Sequence, residues 1–357
     1  MTTKEKTETT IPKGFVKVFY IVLTAFLVIN TIQLFCYSSD VPQNNISHGK
    51  AQFSDFYRAV ALPIPEKLDF CGELVPTENW DVREMLDREL MINVYWQSQT
   101  LLHFKRAARY FPVIEPILKK NGVPDDFKYL AVVESSLSNA GSPTGAKGFW
   151  QIMEPTAKEL GLEVRENVDE RFHLEKATEA ACKYLLASYK RYQSWTLVAA
   201  SYNSGRGAVE RFMDKQQEGN FYELWLADET MRYVYRIAAV KVVMQNPKQY
   251  GFDFKPEDLY PVIPNHVVQV DTTIRDLAQF ARFNGTTYKM LKYLNPWLRQ
   301  TNLENKAKKA YEVKIPEKGN RKYYHKDFDL SKSSWNKIPS NAEDANELES
   351  RDLKEYK

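Results

Sequence analysis

One glutamate at the end of an apolar helical stripe is the residue best placed for acid–base chemistry. In PDDFKYLAVVESS, Phe127, Leu130, Ala131 and Glu134 fall at i, i+3, i+4 and i+7, which puts Glu134 in line with side chains that face a core. A carboxylate on a dry face is costly when ionised. Its pKa therefore rises, and a carboxyl that keeps its proton near neutrality can serve as a general acid. The alternative is a glutamate that closes the helix against a buried partner, or one that swings to solvent where the helix has ended. Pro124, Asp125 and Asp126 mark the helix start, acidic side chains being favoured in a first turn by the helix dipole.

Three later segments carry residues suited to a ligand. SPTGAKGFWQIMEPTAKEL has Gly141, Gly145 and Gly148 before Trp150 and Gln151; small residues let a ligand approach the backbone, and an aromatic beside an amide suits a sugar's apolar face and its acetamido group. An ordinary turn followed by a core tryptophan is the alternative. In WTLVAASYNSGRGAV a helix runs into Tyr202 and Asn203, then Gly205 and Gly207. Asparagine both donates and accepts, as an N-acetyl group requires. The pair Gly205-x-Gly207 lacks the preceding strand and fuller fingerprint of a phosphate loop. In ETMRYVYRIAAVKVV, Tyr233, Ile237 and Val240 share a helix face, so the phenol points to the core or to a cleft.

Composition removes several other chemistries. Forty-nine basic against 46 acidic residues leave a formal net charge of +3, far from the concentrated basic footprint of a nucleic-acid binder. Cys36, Cys71 and Cys182 form no C-x-x-C pair, and His48, His103, His173, His266 and His325 lack metal-ligand spacing, so no metal site and no cofactor is expected. Cys71 and Cys182 are the only possible soluble disulfide pair, with buried free thiols the preferred reading.

The elements that must position these residues divide the chain. From Val18 to Tyr37 the sequence is uncharged and preceded by Lys13 and Lys17; about twenty such residues cross a bilayer, with the basic flank held inside. The expectation is a cytoplasmic tail at 1–17 and a transmembrane anchor or signal segment at 18–37, with a linker at 38–80. Apolar residues then recur at helical spacing over Asp81–Arg109, Pro112–Lys120 and Pro124–Glu134. The pattern resumes over Leu174–Tyr192, Trp195–Tyr202, Gly207–Met213 and Glu229–Gln245, predicting one mostly α-helical domain over 81–255. His266–Val270 and Tyr311–Ile315 read as strands, and Ile274–Phe283 and Tyr288–Leu294 as helices capped first by Asp271 or Thr272, a small βααβ unit at 262–318. Residues 319–357 are polar and read as a tail.

ESS at Glu134, GAKGFWQIM at Gly145–Met153, ASYNSGRGAV at Ala200–Val209 and ETMRYVYRI at Glu229–Ile237, in that order, resemble the soluble lytic transglycosylase family, in its membrane-bound type D branch. The resemblance covers roughly residues 81–251 and implies a mainly α fold: a lysozyme-like helical catalytic domain. DTTIRDLAQFARFNGTTYKMLKYLNP and YEVKIP resemble a LysM module in degenerate form, so glycan binding and a purely packing role both stay open for the small unit. By position, Glu134 matches the family's catalytic acid/base and Ser135 the neighbour that orients it. Gln151 and Asn203 match polar glycan contacts, Tyr202 and Tyr233 aromatics near the acid. Asn139 and Glu154 depart from the family pattern at the rim.

The resemblance implies cleavage of the MurNAc–GlcNAc β-1,4 bond of peptidoglycan glycan strands without water, the substrate's own C6 hydroxyl replacing the second carboxylate of ordinary glycosidases. A lysozyme- or chitinase-type hydrolase on the same fold, and a non-catalytic wall-binding protein, are the alternatives. The expected location is the bacterial cell envelope, with the catalytic domain periplasmic and held in the inner membrane by the N-terminal segment. No nucleic-acid partner is expected.

Overall fold

A six-residue β-hairpin opens the folded region: β1 (Asp69–Phe70) and β2 (Glu73–Leu74) pair antiparallel, with Cys71 and Gly72 at positive φ in the turn. The structure, a computed structural model, describes residues 59–317. The expected tail, anchor and C-terminal extension at 1–17, 18–37 and 319–357 lie outside the described residues, as do Cys36 and most of the expected linker. Among the described residues no helix is long and apolar enough to cross a membrane.

The part of the linker that is described is no linker. Leu68, Phe70 and Val75 are buried in the main core, with Leu62 and Ile64 packed against it, and Tyr250 donates to the Pro63 carbonyl at 2.8 Å. Alternating short apolar pieces among prolines conceal a segment that packs by its side chains while forming almost no regular structure.

Eight helices follow in the first domain. They are α1 (Trp80–Tyr95), α2 (Gln97–Asn121), α3 (Phe127–Ser135), α4 (Glu154–Glu159), α5 (Leu174–Tyr192), α6 (Trp195–Ser204), α7 (Arg206–Gln216) and α8 (Asp228–Gln245). The apolar run read as Asp81–Arg109 breaks at Trp96 (φ −88, ψ 57), and Pro112 and Pro116 lie inside α2 instead of starting a new helix. α2 stops at Gly122, whose left-handed backbone (φ 70) lets its N–H reach back to Leu118 and Lys119. α8 packs on α1, α3 and α6. From Tyr233 to Met244 it is buried nearly all round, as a central helix must be, and its buried Lys241 is neutralised by Asp126 at 2.8 Å and Asp69 at 3.2 Å. Asp126 therefore joins hairpin, α3 and α8, while Asp125 pairs with Lys128.

Glu73 of the hairpin caps α6 from 120 residues away: its carboxylate accepts from the N–H groups of Trp195 and Thr196 and from both hydroxyls of Ser194 and Thr196. The free donors at a helix start and the dipole both favour this charge. Glu73→Ala is expected to lower stability by about 1–2 kcal/mol, read as a drop in Tm; an unchanged Tm would mean that α6 does not depend on the cap.

The C-terminal unit is β3 (Asn265–Val270), α9 (Leu277–Phe283), α10 (Tyr288–Leu294) and β4 (Tyr311–Pro316), the strands antiparallel with Asn265 opposite Pro316 and Val270 opposite Tyr311. The βααβ order is as expected, but the cap of α9 is Asp276, whose Oδ1 accepts from Ala278 and Gln279, and not Asp271 or Thr272. Asn295, fully buried, bonds both the N–H and the carbonyl of Lys314 and so fastens α10 to β4. This unit's core of Leu277, Leu291, Leu298, Val313 and Ile315 is completed by Val168 and Phe172 from the first domain.

Candidate active site

α3 buries Phe127, Leu130 and Ala131 completely and carries Glu134 in its last turn, half-buried. The helix ends there because Ser136 and Leu137 both take left-handed φ (52 and 53). Glu134 Oε1 accepts a short hydrogen bond from the Tyr233 hydroxyl, and Tyr233 on α8 is itself 2% exposed. Burial lifts the Glu134 pKa from the ordinary carboxylate range to about 7; the Tyr233 bond pulls it down, the nearby Glu229 carboxylate pushes it up and Arg236 opposes that push. Burial and the adjacent Glu134 drive the Tyr233 phenol far above its usual range, so Tyr233 donates throughout. The nearby arginines are engaged elsewhere. Arg232 bonds Glu89 at 2.7 Å, and Arg236 lies 3.8 Å from Glu89 and 3.9 Å from Glu229, so Glu134 is not locked in an ion pair.

Ser135 does not touch the carboxyl of Glu134. Its buried Oγ donates to the Phe149 carbonyl at 2.8 Å, which ties the end of α3 to the Gly145–Ile152 turn. Tyr202 on α6 donates to the neighbouring Trp150 carbonyl at 2.7 Å, so the two tyrosines split the work: Tyr233 on the acid, Tyr202 on the turn. Trp150 is fully buried with its indole N–H on Thr178 Oγ1 at 2.9 Å. It is a core residue and offers no face for a sugar to stack on. Gly148 likewise admits a neighbour other than a ligand, since a Cβ there would sit 1.9 Å from the Arg171 carbonyl.

The two amides do meet. Gln151, at φ 45, spends its donors on the carbonyls of Gly148 (2.7 Å) and Ala140 (3.1 Å), which leaves its oxygen to accept. Asn203 Oδ1 is taken by Thr230 Oγ1 at 2.9 Å, which leaves its N–H groups to donate. Both line one recess of about 270 Å³ with Tyr202, Tyr184, Met153 and Gly205. One acceptor and one donor matched in this way complement an acetamido group, which offers an N–H and a carbonyl.

A second recess, of about 340 Å³, is lined by Val133 and Ser136 of the α3 end together with Glu89, Trp96, His103, Arg232 and Arg236. Burial, with Arg106 nearby, drops the His103 imidazole to about 4, so it is neutral there. Thr230, Glu89, Arg232 and Arg236 are absent from the sequence reading. The signal for three of them was available: Glu89 lies between core residues Leu86 and Leu90, and Arg232 and Arg236 are spaced i, i+4. The rim positions are exposed, Asn139 on the loop after α3 and Glu154 paired with Lys158. Cys71 and Cys182 are free thiols.

Two family descriptions match the chain: the transglycosylase SLT domain over residues 111–224 and the soluble lytic transglycosylase C-terminal LysM-like domain over residues 266–319. The first span holds Glu134, Ser135, Gln151, Tyr202 and Asn203 and stops short of Tyr233. Membrane-bound lytic murein transglycosylase D of Escherichia coli K12, and its counterpart in Escherichia coli O6:H1, are each 28% identical over 232 residues, covering 63% of this chain and 50% of theirs. The chain thus spans about half the length of these relatives. Among solved structures, an inactive mutant of lytic transglycosylase Slt from Pseudomonas aeruginosa aligns with 39% of this chain and 24% of its own, at 20% identity and a TM-score of 0.33. The chain therefore carries a transglycosylase SLT domain followed by a soluble lytic transglycosylase C-terminal LysM-like domain, and is homologous to membrane-bound lytic murein transglycosylase D.

Proposed function

We propose that the protein is a peptidoglycan lytic transglycosylase that uses Glu134 as its one acid/base. The observation that carries this reading is a carboxyl whose pKa is lifted to about 7 and which is hydrogen-bonded by a buried tyrosine, with its neighbours Val133 and Ser136 lining a recess. Glu134 gives its proton to the oxygen joining MurNAc to GlcNAc, and the C1–O bond breaks. The acetamido oxygen of the same sugar stabilises the cation at C1. Glu134, now ionised, takes the proton of the C6 hydroxyl as O6 closes on C1, leaving a 1,6-anhydroMurNAc end and a restored carboxylic acid with no water consumed. An internal hydroxyl held in reach has a large effective concentration. In this reading Gln151 and Asn203 hold the acetamido group, Tyr233 orients the acid, and Ser135 and Tyr202 fix the turn that carries Gln151. The substrate is the glycan strand of the cell envelope, reached from a periplasmic position with residues 18–37 as inner-membrane anchor.

Digestion of purified sacculi followed by mass analysis tests the reaction. Anhydro ends are the expected product. Products heavier by one water would show hydrolysis, a reading favoured only by Glu229, the carboxylate that acts on Glu134 electrostatically; its side chain is 72% exposed. Release of neither product would leave a wall-binding protein.

Activity should fall as pH rises through about 7, where Glu134 loses its proton. In Tyr233→Phe a bond to the charged form disappears, so the pKa climbs and that alkaline limb should move up by about one pH unit, a hydrogen bond to a charged group being worth about 1.5–3 kcal/mol. A limb that stays put or moves down would exclude Tyr233 as the donor to the acid.

A further inference from the structure

Gln151 can face the recess only if the Gly145–Ile152 turn is held, and the atoms that hold it belong to a segment with no place in the mechanism. Arg171 is 2% exposed. Its Nε and Nη2 donate to both oxygens of Asp169 at 2.9 and 2.8 Å, and its Nη1 reaches the carbonyls of Gly145 at 3.1 Å and Ile152 at 3.4 Å. One guanidinium therefore pins both ends of the turn, while the Arg171 carbonyl fills the space over Gly148. Only a planar fork with five donors can meet a carboxylate and two carbonyls at once; a lysine ammonium cannot.

The other side of the same segment is held by the C-terminal module. The Asp169 N–H donates to the Trp297 carbonyl at 3.0 Å, and the Arg299 N–H to the Asn167 carbonyl at 2.7 Å. Between them Val168 bridges Leu298 and sits in the module's core. Around this seam Lys309 pairs with Glu163 and Glu170, and Lys314 with Glu175. Much of the module's loop between α10 and β4 is thereby used up inside the molecule.

We propose that Arg171 is a positioning residue for the turn that carries Gln151, and that the module is the other half of the same clamp, bracing the Asp169–Arg171 pair from behind. This rests on the reading of Gln151 as a glycan contact. The module then acts on catalysis by shaping the groove, whether or not it touches glycan itself.

The test uses the full chain with three variants, Arg171→Met, Arg171→Lys and the double Lys309→Glu/Lys314→Glu, which sets like charges across the seam. Amide hydrogen exchange is followed at Lys147, Gly148 and Ile152, whose N–H groups are bonded within and next to the turn, and KM and kcat are measured on isolated glycan strands across pH. Arg171→Met and the double variant are expected to speed exchange at these amides at least about tenfold and to raise KM about tenfold, small displacements of a binding group being costly. The alkaline limb of kcat should stay at its parental position, since Glu134 is untouched, and Arg171→Lys should fall between parent and Arg171→Met. Should Arg171→Met fail to fold, Arg171→Lys, which keeps the charge, reads the same amides. Parental exchange in the Arg171 variants overturns the clamp, and parental exchange in the double variant overturns the module's part in it. A parent that releases no anhydro sugar defeats the functional reading, and the exchange measurements still decide the clamp.

Discussion

Glu134→Gln is expected to lose the reaction and gain stability together. Glutamine keeps the shape and can still accept from Tyr233, but it has no proton to give, so glycan cleavage should fall by about 10²–10⁴-fold, the range for a positioned general acid. The stability change follows from the same burial. A carboxyl whose folded pKa is raised from 4.5 to about 7 binds its proton more tightly folded than unfolded. The stability this gives is complete below about pH 4.5, and it is lost as pH climbs to about 7 and beyond. The variant, with nothing to ionise, escapes that loss. At pH 8 it should be more stable by about 1–3 kcal/mol, the upper figure reduced because the group is only half-buried. At pH 4 parent and variant should melt together. Thermal unfolding at the two pH values and mass analysis of muropeptides read both halves. Parental cleavage by the variant would remove Glu134 from the chemistry, and equal Tm at pH 8 would mean that the carboxyl is not desolvated.

Gly148→Ala should be the most damaging single-methyl change in the site. The backbone there is left-handed (φ +81), and the added Cβ meets the Arg171 carbonyl carbon and oxygen at 2.8 and 1.9 Å. Backbone atoms cannot step aside as a side chain would, so either the turn or the 169–172 segment must move. A loss of about 3 kcal/mol or more is expected from backbone strain and overpacking together, with cleavage down about 10²-fold as Gln151 is displaced. Gly145→Ala is the control: also left-handed (φ +96) but with nothing within 4 Å of its Cβ, it should cost only about 1–2 kcal/mol. If the two variants melt alike, the close approach of Arg171 to the turn is not real.

Helical periodicity was enough to find α5, α6, α8 and α10 nearly to the residue, because each shows one long apolar face or none but apolar faces. It misjudged the region before Trp80. Phe70 and Val75 sit in a piece too short for any period to register, and they are buried in a core built by later helices, Phe70 against Phe127 more than 50 residues on. It also ran two helices together at Trp96, a break set by backbone angles and not by a helix-breaking residue. At the site, the stripe ending in Glu134 was legible because burial follows from spacing. The roles of Trp150 and Gly148 were not, since a glycine cleared for a ligand and one cleared for a carbonyl look the same in sequence. What Arg171 does was hidden for the same reason: D-x-R is a surface pattern until a second domain covers it.

The hairpin's place in the core restricts where the chain can be cut and still hold its fold. Phe70 fills the space between Phe127 and its neighbours, with ring centroids 5.6 Å apart, Glu73 holds the start of α6, and Pro63 receives the Tyr250 hydroxyl. A fragment that keeps this fold must therefore begin upstream of Leu62, and one that begins even ten residues further on loses these contacts and should unravel.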